Sequence, residues 1–120
     1  MTHRIIFIAI PTKGTVNPEA DGKPAHLKEE FLAFLAKLHM DYPSCTFIAP
    51  MVQDYQLLRH MSVTATWEDW GKHCRAIIPK CDEVWVLKYN GYDTSVGVAG
   101  EIACAEEHNV PVFFINPFVG

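Results

Sequence analysis

Ser95, Gly97 and Glu101 lie close together in the stretch "TSVGVAGEIACAEE", residues 94–107. A serine that opens a helix can cap its first N–H groups, and the same groups attract a phosphate or a carboxylate. Gly97 has no side chain and lets a ligand approach the backbone. Glu101 lies four residues beyond Gly97 and shares its helical face. It stands about 240° round the helix from Ser95, so any relation between those two must come from the loop before the helix. Ile102, Ala103 and Ala105 make the surroundings of Glu101 apolar, and a charge in such surroundings needs a reason. Two readings follow: a carboxylate that reacts with a small ligand, or a solvated glutamate behind a plain serine cap.

Other residues of chemical interest flank this stretch. Asp93 could hold a sugar hydroxyl or a cation, or simply turn the chain; Gly91 and Tyr92 belong to the same loop. Pro11, Thr12 and Lys13 follow the first apolar run. Lys13 could meet a phosphate or be an ordinary exposed lysine. Trp67, Trp70 and Tyr92 could stack a nucleobase, although aromatics at 67 and 70 also suit helix packing. Histidine is a residue type apt to carry protons, and Asp69 precedes His73 by one helical turn, so either could supply a proton. The bland reading of His73 is a surface helix residue. His73, Cys74 and Cys81 match no zinc-ligand spacing, so neither a metal nor a cofactor is expected.

A chain of 120 residues with 49% hydrophobic residues fits one domain over 1–120 with one real core. A net charge of −4 gives no basic footprint for nucleic acid. No apolar run approaches the roughly 20 residues of a membrane span. The opening "MTHRIIFIAIP" reads as a buried strand, because it lacks the small-residue cleavage site of a signal peptide. Cys45, Cys74, Cys81 and Cys104 form no C-x-x-C pair, which suggests a reduced, cytoplasmic protein with mostly buried thiols.

The elements that must position these residues alternate. Continuous β-branched and aromatic runs predict strands at 4–10, 45–52, 83–89 and 110–116. Helical spacing, with apolar residues at 27, 31, 34, 35 and 38, predicts a helix over 25–40. Two more are expected over 66–78, opened by Thr66 and ended by Pro79, and over 95–109, opened by Thr94 or Ser95 and closed by Asn109. Residues 11–24 form a long loop, and 53–65 a loop with one helical turn. The order β-α-β-α-β-α-β predicts an α/β fold: a parallel sheet covered on both faces through right-handed crossovers. Ligands in such sheets bind beyond the carboxyl ends of the strands. The loops starting at 11, 50 and 88 converge there, and the candidate residues lie in or just after them.

Residues 81–112 resemble the C-terminal half of the nucleoside 2-deoxyribosyltransferase-like superfamily, and in particular its small bacterial and phage members. The likeness rests on Cys81-Asp82, the strand "EVWVL", Gly91-Tyr92, the Ser95-x-Gly97-x-x-x-Glu101 spacing and Pro111-Val112. "TWEDWGKHCRAIIPKCDE", "FIAIP" and "FIAPM" resemble the same members less specifically. The resemblance implies a flavodoxin-like or Rossmann-like three-layer sandwich of four to five parallel strands in order 2-1-3-4. It implies that Glu101 attacks C1′ of a nucleoside or nucleotide, and that the covalent sugar–enzyme intermediate passes to another base or to water. Ser95 would then contact a sugar hydroxyl or a 5′-phosphate, and the protein would be a homo-oligomer. Family members carry an aspartate eight residues before the Asp of Cys-Asp; here that position is Cys74. That departure keeps open a module that binds a nucleotide or an ADP-ribose-type ligand without turning it over; a subunit of an assembly with no small ligand is a third reading.

Overall fold

A computed structural model describes residues 2–10, 29–50, 67–89 and 92–116, with side chains at 29–30 and 67–70 left out. The elements are β1 (Arg4–Ala9), α1 (Glu29–Asp41), β2 (Cys45–Ile48), α2 (Trp67–Ile77), a 3-10 turn (Ile78–Lys80), β3 (Glu83–Leu87), α3 (Val96–Glu107) and β4 (Val112–Ile115). The four strands form one parallel sheet in the order β2-β1-β3-β4. This is the expected α/β sandwich. β1 lies between β2 and β3, with Ile6 opposite Phe47 and Phe7 opposite Val84.

Strict alternation along each strand divides the core into two layers. Ile6, Ile8, Phe47 and Leu87 meet Phe31 and Leu38 of α1 on one face. Phe7, Ala9, Val84 and Val86 meet Cys74, Ile78, Val98, Cys104 and Ala105 of α2, the 3-10 turn and α3 on the other. Each large side chain so buried contributes about 1.5–3 kcal/mol. Phe31 and Leu38 are therefore the positions that make the helical spacing of α1 meaningful. The outer strand β4 leaves Phe113 and Phe114 exposed.

Element ends differ from the sequence expectation for local reasons. β2 stops at Ile48, and Ala49 and Pro50 leave the ladder. Pro79 does not stop a helix abruptly; it sits at the start of the 3-10 turn that tightens the end of α2. Pro111 precedes β4 and offers only its carbonyl, which accepts from the Val84 N–H at 2.9 Å. α3 is capped by Ser95 rather than Thr94, and it ends at Glu107 with His108 as C-cap. Asn109 then takes the left-handed conformation, φ 59°, where asparagine is tolerated and a β-branched residue is not. The residues expected to start the first helix before 29, and the loops 11–24 and 53–65, lie outside the described residues. No helix among the described residues is long and apolar enough to cross a membrane.

Candidate active site

α3 is the next element after β3, reached through residues 88–95 from the carboxyl end of that strand, and α2 packs beside it. Glu101 lies in the second turn of α3, between Val98 and Cys104, which are both buried. Only 8% of Glu101 is exposed, so the solvated reading of this glutamate does not hold. Cys74 reaches it from α2: the thiol is 1% exposed and hydrogen-bonds the Glu101 carboxyl. Burial raises the pKa of Glu101 to about 8, and the thiol's hydrogen bond opposes that rise. Burial, followed by the charge and hydrogen bond of Glu101, pushes the Cys74 thiol far above its ordinary value. Cys104, one turn beyond Glu101, is shifted upward by burial and then by Glu107, with a smaller contribution from Glu101.

The second buried carboxylate shows what a structural one looks like in this chain. Glu83, at the opposite end of β3, pairs with Arg4 and accepts a 2.8 Å hydrogen bond from the Trp85 indole. A guanidinium compensates that charge. Among the described residues the partner of Glu101 is the Cys74 thiol, and burial sets the carboxyl's raised pKa.

Ser95 caps α3 as its type suggests: its side chain accepts from the Val98 N–H at 3.2 Å. Ser95→Ala is expected to cost about 1 kcal/mol of stability, read as a lowered urea midpoint. Gly97 is half-buried on the face of Glu101, and Asp93 is exposed in the preceding turn. Tyr92 packs on the layer that contains Cys74 and Val98, and its ring centroid lies 6.3 Å from that of Phe114.

His73 is exposed, about 100° round α2 from the buried Cys74. The structure thus brings Cys74, rather than its neighbour, to Glu101. Asp69 and Trp67 lie in the first turn of α2, but their side chains are outside the described residues, as are Pro11, Thr12, Lys13 and Gly91 altogether. The residue that sequence reasoning did not nominate for the site is Cys74. Its signal was present as the sharpest departure from the family-like pattern. Among the described residues no three His, Cys, Asp or Glu side chains converge as a metal site.

No curated protein and no solved structure matches this chain. Residues 4–116 match the family described as a domain of unknown function, DUF1937. The match runs from the first residue of β1 to just past β4, so the sheet and the Glu101–Cys74 pair both lie within it, and the chain belongs to the DUF1937 family.

Proposed function

We propose that this protein cleaves the N-glycosidic bond of a nucleoside or nucleotide, with Glu101 as nucleophile, and passes the sugar to water or to a second base. The observation that carries this reading is a buried glutamate, whose partner among the described residues is a thiol, in the helix that follows β3. Breaking an N-glycosidic bond builds oxocarbenium character at C1′, and an adjacent carboxylate captures it, as in retaining glycosidases. The nucleoside 2-deoxyribosyltransferase-like spacing of Ser95, Gly97 and Glu101 supports the same assignment. Ser95 at the N-terminus of α3 suits a sugar hydroxyl or 5′-phosphate. Tyr92 and Trp67 are the candidates to stack the base. Lys13, with Pro11 and Thr12, is the candidate contact to the phosphate. The reading includes a cytoplasmic location, in keeping with three buried free thiols. It also includes a homo-oligomer, for which the exposed Phe113 and Phe114 supply apolar surface.

The test is base release measured by chromatography with nucleosides, their 5′-monophosphates and NAD. Wild type is expected to release base from at least one substrate, and Glu101→Ala to lose that release. Undiminished release by the mutant would sink the assignment. Because the nucleophile must be ionised, kcat/KM for an uncharged substrate is expected to climb with pH, reach half its maximum near pH 8, the pKa of Glu101 in the free enzyme, and level off above it. A plateau reached by pH 6 would contradict a buried, protonated Glu101.

The thiol of Cys74 at the carboxyl favours a second reading, a module that binds a nucleotide or ADP-ribose-type ligand without turnover. A rise in melting temperature with one of those ligands, and no base released, would select it.

A further inference from the structure

The outer strand β4 is a docking surface, and we propose that its occupant is a second copy of this chain, with the two β4 strands paired antiparallel about a twofold axis at Phe113. Such a pair deepens the homo-oligomer of the reading above and rests on none of its chemistry. The sequence of β4, VFFI, is apolar at every position, the pattern of a strand covered on both faces. In the fold it is an outer strand, and among the described residues β3 is its one neighbour. Phe113 stands beside Trp85 on the α1 face and is 47% exposed. Phe114 stands on the α3 face with Tyr92 and is 51% exposed. The opposite edge is built differently, because β2 buries Phe47 and exposes Thr46. Edges are normally blunted by charges, by proline within the strand or by bulges, and an apolar edge without them is a template for another strand.

The backbone of β4 selects that strand. The carbonyls of Pro111 and Ile115 accept from the Val84 and Lys88 N–H groups of β3 at 2.9 Å. Bonding direction alternates along a strand, so the N–H and C=O of Val112 and Phe114 point away from β3. A second β4 centred on Phe113 sets Val112 of each copy opposite Phe114 of the other. Each such pair exchanges both of its hydrogen bonds, which uses every outward group of the strand. Phe113 meets its own counterpart in the close pairing between them, where aromatic side chains stabilise a sheet. The neighbouring helix fits the same axis. α3 packs on β3 and β4, and α2 covers one side of it. Ala99 and Ala103 are exposed about 160° round α3 from Glu101, which faces α2. Apart from Glu101, α3 carries charge only at Glu106 and Glu107, in its last turn, where the helix end is itself negative. The axis sets the two α3 helices antiparallel and brings these carboxylates towards the positive first turn of the other α3. Their sign is unfavourable in a lone α3 and favourable in the pair.

Light scattering after size exclusion is expected to give twice the chain mass for wild type. Phe114→Pro removes an N–H that β3 does not use, so it is expected to elute as a monomer whose melting curve shows it folded. Phe113→Cys places a thiol opposite itself at a separation that a disulfide spans. It is expected to give a cross-linked dimer with glutathione disulfide, whereas Met40→Cys, exposed on α1, is expected to give none. Wild type at single-chain mass overturns the proposal. So does a folded Phe114→Pro that remains a dimer, or a dimer that Phe113→Cys fails to cross-link. If Phe114→Pro does not fold, the cross-link decides. Base release is read separately, so a monomer that cleaves its substrate leaves the glycosidase chemistry standing, and a dimer that releases no base leaves the interface standing.

Discussion

Glu101→Gln is expected to make the protein more stable above pH 5 while abolishing its activity. The sign follows from proton linkage. In the unfolded chain the carboxyl titrates at its ordinary value of about 4.5, and in the folded protein at about 8. Between those values the folded state holds a proton that the unfolded state has lost, so stability falls as pH rises. Each pH unit in this window removes up to about 1.4 kcal/mol, and the loss accumulates to a few kcal/mol before levelling off above pH 8. Glutamine keeps the shape and a hydrogen bond to the Cys74 thiol but does not ionise. Thermal melts at pH 5, 6, 7 and 8 should show a falling Tm for wild type. The variant's profile should be flatter, with the gap widest at pH 8. The thiols of Cys74 and Cys81 are pushed higher still, Cys81 to about 11, so they do not titrate in this window. Equal slopes for the two proteins would mean that Glu101 is ionised in the folded state. A site that gains stability when its reactive group is neutralised shows the usual conflict between stability and function.

Phe7→Ala is expected to remove a third or more of the folding free energy. Phe7 is fully buried on the central strand β1, between Ile48 and Val84 in register. It faces the layer of Cys74, Val98 and Cys104 that carries Glu101. Truncating a buried phenylalanine costs about 3–5 kcal/mol, combining lost transfer energy with a cavity, against a total stability of about 5–15 kcal/mol for a domain. The urea midpoint should fall by a third or more at unchanged slope. Met40→Ala, at an 80% exposed position near the end of α1, is the control, with an expected change within about 0.5 kcal/mol. A small effect at Phe7 would mean that the two-layer core is not built around β1.

The cysteines show how the two levels of description divide. Their spacing excluded a zinc pattern and predicted reduced, buried thiols, and Cys74, Cys81 and Cys104 are free and buried. Which of them matters was not readable from spacing. Cys74 and Glu101 are 27 residues apart, and only the packing of α2 on α3 brings them together. The sequence offered His73 and Asp69 as candidate proton donors beside that position. Adjacent helix residues point about 100° apart, and the face of α2 that meets α3 is the face of Cys74.

Taken by itself, the sequence determined the α/β class, the placing of the strands and helices, and the serine–glycine–glutamate opening of α3. These depend on local periodicity and capping, which are written in consecutive residues. The tertiary structure alone decided that Glu101 is buried, that its partner is a thiol, and that its acidity shifts to about 8. Desolvation and cross-helix hydrogen bonds depend on what packs against a residue from elsewhere in the chain, and the sequence around that residue does not contain it.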